Sequence, residues 1–459
     1  MTPTQLRKLV RTQGAHSAPA RNFELHFQRL KAQIHEQLVA SLDLSKIGHM
    51  DRNALYAEVR AMAEAACQAR REVLGQIDRE RLANEVMDEV FGLGPLEKLM
   101  ADPAVSDILV NDPQTVYIEK GGRLYLTDVV FADEAHLLRI IQRIVARIGR
   151  RVDEVNPMVD ARLPDGSRVN AIIRPLAVDG PKLSIRRFGV RPLEIDDLLA
   201  NGTILPEMTE FLAGAIEARV GFLISGGTGA GKTTLLNALS AFIPPDERLI
   251  TIEDSAELIL KHRHVARLET RPANTEGAGE ITQRDLVRNS LRMRPDRILV
   301  GEVRGPEVWD MLQAMNTGHE GSLTTVHANS ARDALARLEM MVAMTGFDLP
   351  VPVVRQYIAT GIKLIVHLAR LKGGPRHVMQ IVEIVGVENG TYRLEEVFGF
   401  EQLGVDAEGV AYGEFYATGY QPQCLSRLKA SGVRLPEGLF ERRRFPMQLP
   451  DHTPVAQLA

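Results

Sequence analysis

Residues Gly226 to Thr233 read G-G-T-G-A-G-K-T, and this octapeptide restricts the fold more than any other stretch. It fits G-x-x-x-x-G-K-[ST], the P-loop, in which backbone N–H groups wrap a phosphate chain. Gly226, Gly227, Gly229 and Gly231 permit the turns and close approach that a Cβ would obstruct. Lys232 has the reach for the β- and γ-phosphates, and the Thr233 hydroxyl can coordinate Mg²⁺. The flanks agree. Val220 to Ser225 is an apolar run suited to a buried strand, and Thr234 to Ser240 continues with helical spacing. Phosphate would then sit at a helix N-terminus, where unpaired donors favour anions. The candidate nucleotide-binding residues are therefore Gly226, Gly227, Thr228, Gly229, Ala230, Gly231, Lys232, Thr233 and Thr234.

A chain of 459 residues has room for about three domains. Fifty-five Lys and Arg against 59 Asp and Glu leave a net charge of −4. No global field pulls such a chain onto nucleic acid or anionic lipid. Cys67 and Cys424 are too few for a tetracysteine zinc site and fit a reducing cytosol. The N-terminal residues lack the apolar core of a signal peptide. No apolar stretch approaches the ~20 residues that span a bilayer. A membrane role is thus expected to be peripheral, through a partner.

Residues 1–20 read as a mobile tail and 21–99 as a helical region. Phe23, Phe27, Leu30, Ile34 and Leu38 step along one helical face. Residues 100–185 read as an α+β domain, with short strands around 106–110, 115–119 and 123–127 and a helix from Ala135 to Ile148. From 186 to 400 strands and helices alternate around the P-loop, closing with a strand meander from Lys363. Asn389-Gly390 is a two-residue hairpin turn, because both positions tolerate positive φ. Residues 401–459 read as a C-terminal extension.

Three further clusters narrow the chemistry. Leu249 to Asp254 is a β-branched run ending in Glu253 and Asp254, with Glu257 close behind. A carboxylate there can polarise attacking water as a general base. Arg297 to Glu302 is an apolar strand followed by an acid, the form of a Walker B strand whose carboxylate holds Mg²⁺. Thr317 to Asn329 carries His319 and His327, suited to sensing a γ-phosphate. Each cluster alone has an ordinary structural reading. Their order along the chain carries the functional one.

The runs S-G-G-T-G-A-G-K-T-T, T-I-E-D-S-A-E-L, R-M-R-P-D-R-I-L-V-G-E-V-R-G and T-G-H-E-G-S-L-T-T-V-H-A-N together resemble the secretion ATPase superfamily. G-L-G-P-L-E at 92–97, P-M-V-D-A-R-L-P-D-G-S-R-V-N at 157–170 and S-I-R-R-F at 184–188 look like the CpaF-type ATPases of tight-adherence (Flp) pilus assembly. The resemblance implies an α/β, RecA-like P-loop core preceded by a helical region and a small α+β (PAS-like) domain. It implies a homo-hexameric ATPase using ATP and Mg²⁺ on the cytoplasmic face of an inner membrane. There it would drive pilus or secretion platform proteins. Glu253 would activate water, Glu302 would be the Walker B acid and a metal ligand with Thr233, and His327 would sense the γ-phosphate. Arg186 and Arg187 would offset transition-state charge, with Arg271, Arg288, Arg292 and Arg304 as rivals.

The tetracysteine zinc motif of many type II secretion ATPases is missing, so no zinc is expected, and nucleic acid is not an expected partner. Two alternatives stay open. One is a traffic ATPase of type IV conjugative secretion, and the other a nucleotide-gated scaffold with little turnover.

Overall fold

The computed structural model describes residues 76–187, 192–271, 273 and 278–446, with 31, 34, 56, 57, 60–62, 64 and 65. The expected tail over 1–20, and most of the stripe from Phe23 to Leu38, lie outside the described residues. The chain divides into two units, Met1–Val190 and Arg191–Ala459.

In the first unit, α1 (Gln76–Phe91) precedes β1 (Val105–Asp112), β2 (Thr115–Lys120) and β3 (Arg123–Leu126). Then come α2 (Glu134–Ala146), β4 (Met158–Arg162), β5 (Arg168–Ile172) and β6 (Lys182–Arg186). The strands form one sheet in the order β3-β2-β1-β6-β5-β4, antiparallel throughout. Alternate residues of the central strands turn to one buried face, including Ile108 and Val110 on β1 and Leu183 and Ile185 on β6. Against them α2 lays Leu137, Ile140, Ile141 and Ile144, spaced for one helical face. Its N-terminus is capped by Asp133, whose carboxylate accepts the His136 N–H at 2.7 Å.

The second unit contains β7 (Phe222–Gly226), β8 (Leu249–Glu253), β9 (Val265–Glu269), β10 (Arg297–Val300) and β11 (Leu323–His327). It continues with β12 (Leu364–Arg370), β13 (Arg376–Glu388), β14 (Thr391–Val405), β15 (Ala411–Ala417) and β16 (Arg443–Pro446). Its sheet runs β16-β15-β14-β13-β12-β7-β11-β10-β8-β9. The part from β12 to β9 is parallel, and the part from β12 to β16 is antiparallel.

Parallel strands need cover on both faces, which explains why β7, β8 and β10 are wholly buried and mostly apolar. Phe222 and Ile224 face a core shared with α3 (Pro206–Glu217) and α4 (Lys232–Leu239). Leu223, between them, faces α5 (Glu307–Asn316), α6 (Ala331–Ala343) and α7 (Val351–Gly361). This is the α/β, RecA-like core, and a helical segment and an α+β domain precede it.

The meander expected from Lys363 is present as β12-β13-β14, and β12 also pairs parallel with β7. The sheet continues past residue 400. Strands β15 and β16 extend it, and Phe415, Leu428, Leu439 and Phe440 join the same core as Phe222. The hairpin at Asn389-Gly390 is present, with φ of +49° and +73°.

Candidate active site

The carboxyl ends of the parallel strands bring the sequence motifs together. Ligands of open α/β sheets bind at this edge. His327, the last residue of β11, lies opposite Gly226, the last of β7. Val300 on β10 lies opposite Ile252 on β8, so Gly301 follows beside Glu253. A Cβ on Gly301 would sit 2.9 Å from the Glu253 Cγ, so the chain passes that acid only as glycine.

Gly226 leads into the P-loop, where Gly229 and Gly231 have φ of +68° and +98°. A side chain at either position would be strained. Gly231 is the N-cap of α4, so the first-turn N–H groups of that helix open onto the loop. Thr233 and Thr234 lie half-buried on this first turn, while Thr228 is exposed and Ala230 buried. A Cβ at Gly227 would meet nothing within 4 Å, so the loop borders open space there. Lys232 folds over it, its Nζ donating to the Gly227 carbonyl at 3.1 Å and lying 4.0 Å from Glu302 Oε1. Burial lowers the Lys232 pKa, and the charge of Glu302 opposes that shift. A ring of donors around open space, with a cation and an acid at its rim, fits a phosphate chain with its divalent metal.

Glu253 is 3 % exposed. Its Oε1 accepts the backbone N–H groups of Glu257 and Leu258, both at 2.9 Å, and its Oε2 is buried without a hydrogen-bond partner. Burial raises its pKa to about 7, against the lowering effect of those two N–H groups. A carboxylate so placed accepts a proton near neutral pH. Glu302 Oε2 accepts Arg304 at 2.5 and 3.1 Å, and Arg304 also reaches Asp254 at 3.4 Å.

The remaining residues singled out from the sequence are placed as follows. His319 donates Nδ1–H to the Pro295 carbonyl at 3.0 Å, a structural bond away from the loop. Arg271, Arg288 and Arg292 bond to Gly279, Asp310 and the Arg288 carbonyl. Arg186 and Arg187 belong to the first unit. Arg186 is exposed and pairs with Asp107 at 3.3 Å, and the Arg187 guanidinium donates to the Asp102 and Val105 carbonyls.

Three residues next to the P-loop carried no sequence signal. His367 on β12 is buried, and its Nδ1 lies 2.9 Å from the Ser225 hydroxyl. Burial lowers its pKa, so it is neutral at physiological pH. Arg376 donates Nε–H to the Gly229 carbonyl at 2.8 Å. An Nη1 of Arg370 lies 3.5 Å from the Cβ position of Gly229. They stand more than a hundred residues beyond the loop, and only the pairing of β12 with β7 brings them to it.

Residues 89–393 match the family described as type II/IV secretion system protein. The chain belongs to this family, the secretion ATPase superfamily. A putative conjugal transfer protein of Mycobacterium tuberculosis is 42% identical over 312 residues, covering 66% of this chain and 88% of that one. The type IV secretion system protein VirB11 of Brucella suis is 30% identical over 321 residues, covering 63% and 89%. Among solved structures, the VirB11 ATPase of the Brucella suis type IV secretion system in complex with sulphate is 29% identical. It covers 64% of this chain and 96% of that one, with a TM-score of 0.34. The matched span takes in all of the first unit's sheet and all four motifs of the second.

Proposed function

We propose that the chain is a Mg²⁺-dependent motor ATPase that couples ATP hydrolysis to work on a type IV-like pilus or related secretion machine. One observation carries the reading: the P-loop, Glu253, Glu302 and His327 meet at the carboxyl edge of one parallel sheet. The backbone of Gly226 to Gly231 and the first turn of α4 hold the phosphates, and Lys232 neutralises their charge. Thr233 and Glu302 would hold Mg²⁺, which when bound polarises the phosphoryl oxygens. Glu253 takes the proton of the attacking water on Oε2, the oxygen without a partner. His327, beside Gly226, reports the terminal phosphate to β11. Arg187 holds the end of β6 through the Asp102 and Val105 carbonyls.

The active form is a homo-hexamer acting at the cytoplasmic face of an inner membrane through platform proteins. Among the described residues, no helix is long and apolar enough to cross a membrane. The motifs at 92–97, 157–170 and 184–188 favour tight-adherence pilus assembly. The relatives named for conjugal transfer favour a second reading, a traffic ATPase of conjugative secretion.

The test is ATP turnover per protomer as protein concentration rises, with and without Mg²⁺, beside Lys232→Ala. Turnover should climb with assembly and fall about a hundredfold in the variant, as when a group stabilising transition-state charge is removed. Tight ATP binding with assembly but no turnover would replace the motor by a nucleotide-gated scaffold.

A further inference from the structure

Strand register places His367 of β12 opposite Ser225 of β7, and Ser225 opposite Val326 of β11. Leu223, Ile365 and Val326 share the core formed with α5, α6 and α7. Ser225 and His367, two residues beyond Leu223 and Ile365, turn to that same face. The imidazole is 7 % exposed and the serine wholly buried, with His367 Nδ1 2.9 Å from the Ser225 hydroxyl. Burial lowers the His367 pKa, opposed by the Asp333 charge and by a hydrogen bond to the Asn329 backbone. The ring thus links three adjacent strands: its own, the one that enters the P-loop, and the one that ends in His327.

A backbone bond that favours the charged ring is one in which a ring N–H donates to a carbonyl. With Nδ1 at the hydroxyl, that donor is Nε2, and Ser225 O–H then donates to Nδ1. An apolar side chain here would avoid the desolvation of an imidazole, so packing alone gives no reason for a histidine. The segment the ring holds is short and firmly anchored. His327 ends β11 beside Gly226, and the Ala328 N–H donates to the Gly226 carbonyl at 3.3 Å. Ser330 caps α6 by accepting the Asp333 N–H at 3.0 Å. Asn329 stands between these anchors, two residues from His327. Ser225 immediately precedes the P-loop glycines.

We propose that His367 is a positioning residue that ties the His327 turn to the strand entering the P-loop, so that contact of His327 with a terminal phosphate is passed to the loop. This rests on the reading of His327 as the sensor of the nucleotide site. His367 acts through Ser225 and Asn329 rather than on the nucleotide.

The experiment is calorimetric titration of the full chain in Mg²⁺ with ADP and with β,γ-imido-ATP, a triphosphate that is not hydrolysed. The ratio of the two affinities is compared among wild type, His327→Ala, His367→Leu, His367→Gln and the His327→Ala/His367→Leu double variant. His327→Ala should lower the preference for triphosphate about fivefold, the loss of one hydrogen bond. His367→Leu should lower it by a similar factor while ADP affinity holds. The double variant should fall no further than either single one, because the two residues act as a unit. His367→Gln keeps a donor and an acceptor and should recover part of the preference. An unchanged preference in His367→Leu, an equal loss for both nucleotides, or an additive loss in the double variant would reduce the ring to a core hydrogen bonder and overturn the inference. If wild type binds neither nucleotide, or His327→Ala keeps the wild-type preference, the reading of the site fails first and takes the inference with it. Should His367→Leu not fold because it orphans the Ser225 hydroxyl, Ser225→Ala with His367→Leu removes both partners and is judged by the same outcomes.

Discussion

Glu253→Gln is expected to lower ATP turnover about a thousandfold while nucleotide binding persists. The amide keeps the shape and can still accept the Glu257 and Leu258 N–H groups on its oxygen. It cannot take a proton at the position of Oε2. Wild-type turnover should also carry an acid limb. With the carboxyl raised to about 7, the basic form grows in as pH rises through neutrality, and single-turnover rate rises with it. The glutamine variant should lose that limb along with the rate. A flat wild-type profile between pH 5.5 and 8.5, measured under saturating Mg²⁺-ATP, would remove Glu253 from the role of base.

The same shift makes a stability prediction of opposite sense. A carboxyl whose folded pKa lies above its unfolded value stabilises the fold most when protonated, below about 4.5. That contribution is lost as pH rises through about 7. The span from 4.5 to about 7 corresponds to about 3 kcal/mol once the group is fully ionised. Glu253→Gln should therefore be more stable than wild type at pH 8 in denaturant titration, and the gain should vanish by pH 5. A buried acid kept for proton transfer costs stability at working pH. Equal stability of the two proteins at pH 8 would count against a neutral-range pKa.

The residues that could be read from sequence are those whose chemistry is local in the chain. The P-loop, Glu253 at the end of an apolar run and Glu302 after another are each legible within ten residues. Buried parallel strands read as continuous apolar stretches, and their ends coincide with the acids. Contacts set by long-range pairing left no such trace. His367 sits inside an apolar run that looks like any strand, and its partner Ser225 lies 142 positions away. Arg370 and Arg376 flank a turn, and nothing local says that β12 inserts beside β7. The continuation of the sheet past residue 400 was hidden in the same way. β15 alternates buried with more exposed positions and β16 is four residues long, and only pairing with β14 and one another reveals them.

Glu89→Ala should destabilise the first unit by about 3–5 kcal/mol, the cost of orphaning buried charge. Lys31 is fully buried, with its Nζ 3.3 Å from Glu89 and 3.7 Å from Glu85. Glu89 also meets His136 Nε2 at 2.9 Å and Arg143 at 3.6 Å, while Glu85 is already shared with Arg81 and Lys98. Burial by itself raises the Glu89 carboxyl. The His136 hydrogen bond and the charges of Lys31, His136 and Arg143 outweigh it and hold the pKa at about 2. The sign follows: a depressed carboxylate stabilises the fold above its unfolded value near 4.5 and loses that contribution as pH falls through about 2. The acid-unfolding limb of the wild type should thus shift toward higher pH relative to a variant in which the whole pair is apolar. That variant, Lys31→Met with Glu89→Leu, should cost less than Glu89→Ala alone, because it removes the buried lysine that Glu89→Ala leaves with only its 3.7 Å contact to Glu85. Urea unfolding followed by far-ultraviolet circular dichroism separates these cases. A single-site loss below about 1 kcal/mol would mean that water or a neighbouring acid compensates Lys31, and that the cluster is a solvated pair of ordinary surface strength.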